Sequence, residues 1–270
     1  MTEKSMNFIK LQGVGNDFVL IDGRELDLTG VDLKDLAIEV CDRHFGVGAD
    51  GLLLVLTSEK ANYRMRIFNP DGSEPEMCGN GIRCFAKYVY EKDKLKCDVI
   101  SVETLAGIIV PAIIEDGGVV SGIEVDMGAP RKSQKSKVKS QNFDFWEVNM
   151  GNPHAVIFSN DLSNINLSEI GPQIENDPQF PDRTNVEFVK VLSKSEIEVI
   201  VWERGAGITL ACGTGACASV VAANLAGLTG RKVLVHLPGG DLNIEWQETD
   251  DHVLMSGPAE AVFTGQWPLR

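Results

Sequence analysis

The tetrapeptide Cys78-Gly79-Asn80-Gly81 recurs, with one substitution, as Cys212-Gly213-Thr214-Gly215, 134 residues further along the chain. Two further matches recur at nearly the same spacing: Ile67-Phe68-Asn69 with Val201-Trp202-Glu203, and Gly15-Asn16-Asp17-Phe18 with Gly151-Asn152-Pro153-His154. The matches keep their order, and their offset is close to half of the 270 residues. Such a repeat predicts two similar halves.

In each half the Cys-Gly motif separates a strand pattern from a helix pattern. Tyr63, Met65 and Ile67 alternate with polar residues, which is typical of a half-buried strand. Behind Cys78, apolar residues recur at helical spacing, and the run behind Cys212 is apolar on every side, which predicts a buried helix. The remaining strand candidates are short and separated by turns: 107–114, 123–126, 148–150, 155–158, 232–236, 241–246 and 253–256.

This pattern favours antiparallel sheets over repeated β-α-β units. The sequence therefore predicts an α+β protein of two pseudo-symmetric domains, each a curled, mostly antiparallel sheet around a central helix. We expect the first domain to span residues 1–122 and to be joined by a C-terminal strand at 258–270. The second domain is expected at 123–257, with the active site in the cleft between the two. The basic, polar run Arg131–Lys137 is expected to be an exposed loop.

Composition and charge exclude several classes of function. The net charge of −14 disfavours a nucleic-acid partner, because phosphate binding needs concentrated Lys and Arg. No apolar run approaches the ~20 residues that a membrane helix requires. The first ten residues lack the apolar region of a secretory signal, so we expect reduced thiols in a cytosol-like compartment. The six cysteines include no C-x-x-C pair, so no metal site is expected.

A cysteine directly ahead of the glycines that open a helix has unusual chemistry. The helix N-terminus carries unpaired N–H groups and partial positive charge, which lower a thiol pKa and can hold a carboxylate. Two such sites could grip one carboxylate and place Cys78 and Cys212 on either side of the carbon beside it. A thiolate would then remove the α-proton from one face while a thiol supplies a proton to the other.

The competing interpretation makes both cysteines helix caps or core residues. For a single Cys-Gly-x-Gly motif that interpretation would be preferred, but the repeat favours chemistry. The other four cysteines are assigned to structure: Cys41, Cys84, Cys97 and Cys217.

Eight ordered motifs, which extend over essentially the whole chain, resemble the diaminopimelate epimerase family. They are residues 13–18, 43–51, 68–73, 77–84, 149–154, 183–188 and the pair 202–205 with 211–216. The resemblance implies an isomerase that interconverts LL- and meso-diaminopimelate by two-base proton transfer, in lysine and peptidoglycan precursor synthesis. It also implies a homodimer in the cytoplasm, or in the plastid stroma after loss of a transit peptide, with neither pyridoxal phosphate nor metal as cofactor.

The resemblance also implies roles for individual residues. Cys78 and Cys212 would be the catalytic pair, with Cys78 usually the proton donor and Cys212 the acceptor in one direction, and His154 and Glu203 would tune their pKa values. The substrate-binding set would comprise Asn16, Asn69, Gly79, Asn80, Asn152, Asn185, Glu203, Arg204, Gly213 and Thr214. Many bacterial members carry Gln where this chain has Gly51, so Gly51 stays outside that set.

Three alternatives remain open at this point. The nearest is a two-cysteine racemase that acts on proline or hydroxyproline, which should lack a polar set for a distal amino-acid group. The second is an isomerase of similar fold without the thiol pair. The third, from another class, is a thiol redox or ligand-binding protein, although redox enzymes more often carry closely spaced thiols.

Overall fold

The computed structural model describes residues 5–138 and 143–268. These residues form four helices: α1 (Leu33–Cys41), α2 (Gly79–Asp93), α3 (Leu167–Glu175) and α4 (Gly213–Leu225). They also form strands β1 (Ser5–Gly13), β2 (Asn16–Asp22), β3 (Gly51–Leu56), β4 (Tyr63–Phe68), β5 (Val102–Thr104), β6 (Gly107–Ile109), β7 (Ala112–Asp116), β8 (Val119–Asp126), β9 (Lys132–Val138), β10 (Phe143–Asn149), β11 (Pro153–Phe158), β12 (Asn185–Val191), β13 (Glu196–Glu203), β14 (Gly207–Thr209), β15 (Lys232–Leu237), β16 (Gly240–Trp246), β17 (Val253–Gly257) and β18 (Glu260–Pro268).

The chain divides into two compact units. The first runs as far as Val125 and resumes at Gly257, and the second is Asp126–Ser256. Both combine a sheet with helices, so the predicted α+β class is confirmed. No helix of the described residues is long and apolar enough to cross a membrane.

The first unit is built on a sheet of order β18-β1-β2-β3-β4-β5-β6. Most neighbouring strands are antiparallel, but β2 pairs with β3, and β4 with β5, in parallel. Helix α2 packs on strands β1 to β4. Its residues Ile82, Phe85, Ala86 and Val89 are fully buried, as their helical spacing predicts.

The second unit contains strands β9 to β17, with β12 and β13 at the middle of its sheet. Parallel pairs again interrupt a mostly antiparallel arrangement, at β11–β12 and β13–β15. Helix α4 packs against β10 to β13, β15 and β16. Every residue from Gly215 to Ala223 is buried, which confirms the central helix predicted from its all-round apolar sequence.

The expectation of one helix per half was incomplete. Helix α1 begins after Asp32, whose side chain accepts hydrogen bonds from the N–H groups of Lys34 and Asp35. Its residues Leu36, Ala37 and Val40 are buried, so it is a short amphipathic helix. Helix α3 occupies a corresponding place in the second unit and packs on β12 and β13.

Two local predictions were wrong. The expected strand 107–114 is two strands, β6 and β7, because Pro111 lies between them and cannot donate to a ladder. The run Arg131–Lys137, expected as a loop, forms most of β9, which pairs antiparallel with β10 at the end of the sheet. Polar side chains such as the exposed Gln134 and Lys135 suit an edge strand.

Candidate active site

Cys78 is the N-cap of helix α2, with an extended backbone at φ −139° and ψ 120°. Its Sγ accepts a hydrogen bond from the Gly81 N–H at 3.4 Å. The thiol also donates to Oδ1 of Asn16 at 3.8 Å. Cys78 is half-buried, so a ligand can approach it. The predicted placement of this cysteine at a helix start is confirmed.

The Asn16 amide is held with its oxygen toward Cys78. Its Nδ2 donates to Asp50 Oδ2 at 2.8 Å, and its Oδ1 accepts from Asn80 Nδ2 at 3.1 Å. Asp50 is in turn held by Arg43, whose Nη2 lies 2.7 Å from Oδ1. The structure thus brings together Asn16, Asn80 and Cys78. It also gives Asp50 an orienting role, which the sequence analysis did not assign.

Asn69 has different contacts from the other predicted residues of this unit. Its Nδ2 donates to Ser73 Oγ at 2.9 Å, and its N–H bonds the Ser73 carbonyl at 2.8 Å. These bonds close the turn behind β4, which is a frequent use of Asn. Gly51 lies in a tight space, where a Cβ would be 3.0 Å from the Phe68 carbonyl oxygen. The local packing therefore fits glycine.

Cys212 repeats the geometry of Cys78 in the second unit. It is the N-cap of helix α4, with φ −123° and ψ 111°, and its Sγ accepts from the Gly215 N–H at 3.4 Å. Its Sγ also lies 3.5 Å from Thr214 Oγ1, which accepts from Asn152 Nδ2 at 3.3 Å. Unlike Cys78, Cys212 is buried, with 6% of its surface exposed.

His154 and Glu187 form a fully buried pair beside these residues. His154 Nδ1 lies 2.7 Å from Glu187 Oε1, and Nε2 lies 3.0 Å from Asn152 Oδ1. Glu187 was not predicted as a site residue. The available signal was a charged residue between the apolar Val186 and Phe188 of a strand that is buried on both faces.

The remaining predicted residues lie together at the end of β13. Asn185 accepts from the Arg204 N–H at 2.9 Å and donates to the Pro153 carbonyl at 2.9 Å, so its amide positions the turn that carries Arg204. The exposed Arg204 side chain donates to the Asp182 carbonyl at 2.9 Å. Glu203 accepts a hydrogen bond from the Thr209 hydroxyl.

The thiols differ in their electrostatics. Burial, followed by the charges of Glu203 and Glu187, raises the pKa of Cys212 well above its ordinary value, although hydrogen bonds from Thr214 and Gly215 oppose the shift. The Gly215 N–H at the start of the helix thus lowers the thiol pKa, as predicted, but burial and the two carboxylates outweigh it in the free protein. Burial also raises the pKa of Cys41 and of Cys84 to about 12, which is consistent with structural roles for both.

Within residues 5–138 and 143–268 no group of three or more His, Cys, Asp or Glu side chains is arranged to hold a metal ion.

Comparison with known proteins identifies the family that this sequence resembles. The model of a family described as diaminopimelate epimerase matches residues 8–133 and 146–262. A diaminopimelate epimerase of Moorella thermoacetica is 54% identical over 279 residues, which cover 98% of this chain and 100% of that protein. A chloroplastic diaminopimelate epimerase of Oryza sativa subsp. japonica is 47% identical over 286 residues, which cover 98% of this chain and 80% of that protein.

Solved structures with low sequence identity share the fold. A phenazine biosynthesis protein of the PhzF family from Bacillus anthracis superposes with a TM-score of 0.76 at 17% identity, over 98% of this chain and 100% of that one. A hydroxyproline epimerase from Agrobacterium vitis superposes with a TM-score of 0.73 at 15% identity, over 99% of this chain and 94% of that one. At these identities the likeness concerns the fold alone.

Proposed function

The chain belongs to the diaminopimelate epimerase family of isomerases, and from this premise we propose that it interconverts LL- and meso-diaminopimelate by two-base proton transfer between Cys78 and Cys212. The observation that carries the proposal is the matched geometry of the two cysteines. Each is an extended N-cap whose Sγ accepts from the N–H three residues ahead at 3.4 Å. Two thiols in matched backbone positions are what a reaction that runs in both directions requires.

In the proposed reaction one thiolate removes the α-proton and the other thiol delivers a proton to the opposite face of the same carbon. One S–H bond forms while the other breaks, so the enzyme keeps one proton on the pair and needs no outside acid or base. The N–H groups at Gly79, Asn80, Gly213 and Thr214 belong to first helical turns, whose donors have no partner within the helix. We assign them to the carboxylate beside the reacting carbon, whose negative charge they stabilise.

The raised pKa of Cys212 is compatible with this chemistry. Burial, and after it the charges of Glu203 and Glu187, disfavour the thiolate of the free protein. The α-ammonium group of an amino acid brings a positive charge that opposes theirs. Substrate binding is therefore expected to promote formation of the thiolate at the moment it is needed.

The polar set of the second unit supports diaminopimelate over proline or hydroxyproline as substrate. Diaminopimelate carries a second amino-acid group, which needs a cation for its carboxylate and oxygens for its ammonium. The exposed Arg204 guanidinium and the Glu203 carboxylate are adjacent in sequence and supply both. We assign Asn16, Asn69, Asn152 and Asn185 to the polar surroundings of the substrate. Asn69 and Asn185 also hold their own turns.

We further propose that the enzyme acts without pyridoxal phosphate or metal, as a homodimer, in lysine and peptidoglycan precursor synthesis. The compartment is proposed to be the cytoplasm or, as the name of the rice relative suggests for a plant protein, the plastid.

Solvent exchange tests the substrate and the absence of a cofactor together. The fully reduced, metal-chelated protein is incubated in D₂O with LL-diaminopimelate, meso-diaminopimelate or L-proline, and deuterium at the α-carbon is followed by mass spectrometry. We expect incorporation into both diaminopimelate isomers and none into proline. Incorporation into proline alone would instead support the racemase alternative, and no incorporation into any substrate would refute the proposed function.

A further inference from the structure

Glu187 is a fully buried carboxylate in an apolar part of strand β12. Its neighbours Val186, Phe188 and Val189 are buried as well. Its Oε1 contacts His154, whereas Oε2 has no hydrogen-bond partner among the described residues. A buried carboxylate with one unbonded oxygen costs folding free energy that a hydrophobic side chain would not. Stability alone therefore gives no reason for Glu at this position.

The register of the sheet directs Glu187 toward His154 and helix α4. In the parallel pair β11–β12, His154 lies opposite Asn185 and Val156 opposite Glu187. Because side chains alternate along a strand, His154 and Glu187 leave the same face of the sheet. The first turn of α4 approaches closely, since a Cβ on Gly215 would lie 2.6 Å from Glu187 Oε1 and 3.3 Å from Cys212 Sγ.

A continuous set of polar contacts leads from Glu187 to Cys212. It runs from Oε1 to His154 Nδ1 (2.7 Å) and from His154 Nε2 to Asn152 Oδ1 (3.0 Å). It continues from Asn152 Nδ2 to Thr214 Oγ1 (3.3 Å), and that hydroxyl lies 3.5 Å from Cys212 Sγ. Each member contacts the next through a side chain, so a change of the His154 ring is transmitted to the cysteine.

The carboxylate determines which nitrogen of His154 carries a proton. An ionised carboxylate only accepts hydrogen bonds, so Nδ1 must donate to it. The Asn152 amide then presents its NH₂ group to an Nε2 without a proton and its oxygen to an Nε2 that carries one, and it is the oxygen that lies 3.0 Å from Nε2. In hydrolase triads an Asp fixes the catalytic His in the same way.

We propose that Glu187 is a positioning residue that fixes the Nδ1–H form of His154 and, through His154, orients Asn152 and Thr214 beside Cys212. This inference rests on the proposed function for its effect on turnover. The tautomer of His154 is a property of the free protein and does not depend on the substrate.

Nitrogen-15 NMR of the histidine rings tests the tautomer directly. The protein has four histidines, and the His154 resonances are identified by their loss in His154→Gln. In the wild-type protein we expect a slowly exchanging proton on Nδ1 of His154. In Glu187→Gln we expect the preference for a proton on Nδ1 over Nε2 to be lost, because an amide can donate as well as accept. A wild-type ring protonated only on Nε2 would overturn the proposal whether or not diaminopimelate is the substrate.

Kinetics test whether the orientation matters for turnover. Glu187→Gln should lower kcat for α-carbon exchange by about 10-fold or more, in the range typical of lost acid–base positioning. In the His154→Gln background the same change should have a much smaller effect on kcat, since positioning by Glu187 acts through His154 and only its direct charge effect on Cys212 remains. Independent, multiplying effects of the two substitutions would contradict the proposal, as would an unchanged kcat in Glu187→Gln.

Asp177→Asn is the matched control. Asp177 is another buried carboxylate of the second unit, 6% exposed, and it accepts from the Gln179 N–H at 3.0 Å. Its conversion to an amide should leave kcat and the His154 resonances close to those of the wild type. An equal loss of kcat in this control would show that any buried carboxylate of the unit matters, and the proposal would fall.

Discussion

At the scale of single residues, the two proposed catalytic cysteines share a backbone geometry but not an environment. Cys78 is half-buried beside the neutral amide of Asn16, whereas Cys212 is buried near Glu203 and Glu187. A helix N-terminus favours the thiolate at both positions. At Cys212, burial and the two carboxylates outweigh the effect of the helix, so the pKa of the thiol lies well above its ordinary value.

Alkylation of Cys212 in the free protein should therefore be slow at neutral pH. Only the thiolate reacts, and a raised pKa shifts its formation to a pH above the ordinary thiol value of 9.0. Glu203→Gln should move the rate profile toward lower pH, because removal of a nearby negative charge lowers the pKa of the thiol. Iodoacetamide labelling, followed for the Cys212 peptide by mass spectrometry across pH, measures both profiles.

Glu198→Gln provides the control for that experiment, since Glu198 lies on the same strand β13 but is not among the causes of the Cys212 shift. Its profile should match the wild type. Rapid labelling of Cys212 at pH 7, or identical profiles for Glu203→Gln and wild type, would disagree with the electrostatic account.

Much of the site at this scale was accessible from the sequence, because the repeat singled out Cys78 and Cys212 and the family resemblance supplied their polar neighbours. Glu187 and Asp50 were missed for a physical reason. Both act on another site residue, His154 or Asn16, and depend on contacts between strands that are distant in sequence. The raised pKa of Cys212 was missed because it depends on burial, which the local motif does not reveal.

At the scale of secondary structure, helices α2 and α4 begin in the same way but tolerate different side chains. A Cβ on Gly81 would lie 3.4 Å from its nearest neighbours, which is ordinary contact, whereas a Cβ on Gly215 would lie 2.6 Å from Glu187 Oε1. A side chain at position 215 would thus have to displace the buried carboxylate of Glu187, whereas one at position 81 would meet only ordinary contacts.

Gly215→Ala should accordingly cost more activity than Gly81→Ala. The added methyl group displaces Glu187 from His154, at a cost of roughly 1–3 kcal/mol if the packing must shift. Gly81→Ala adds a methyl group where there is room and favours the helix by up to about 1 kcal/mol. The rate of α-carbon exchange and the thermal unfolding of both variants test this prediction. Equal losses of activity in the two would contradict the close approach of Glu187 to Gly215.

The helices α2 and α4 were predictable because their apolar residues follow a long, regular pattern after a clear start signal. Helix α1 is only nine residues long and β9 is polar in all but its last residue, Val138, so neither carries a strong periodic signal. In both cases pairing or packing with a neighbour decides the structure. Pro111, in contrast, is a local signal in the sequence. It has no N–H to donate, and the strand expected at 107–114 is interrupted there.

At the scale of the whole molecule, the chain consists of two compact units, and each supplies one helix that begins at a cysteine. The repeat in the sequence anticipated this duplication of the motif. The proposed function makes the duplication necessary, because inversion at a carbon needs one group to take a proton and another to give one. Neither unit would suffice alone.

The requirement for both thiols is tested most directly by single substitution in the reduced protein. Cys78→Ala and Cys212→Ala are compared with Cys97→Ala, which removes an exposed cysteine outside the two motifs. The measured quantity is the rate of interconversion of LL- and meso-diaminopimelate. We predict that each of the first two substitutions lowers that rate on the order of 10³-fold and that Cys97→Ala leaves it near the wild-type value. Near-wild-type interconversion by either Cys78→Ala or Cys212→Ala would contradict the two-base account.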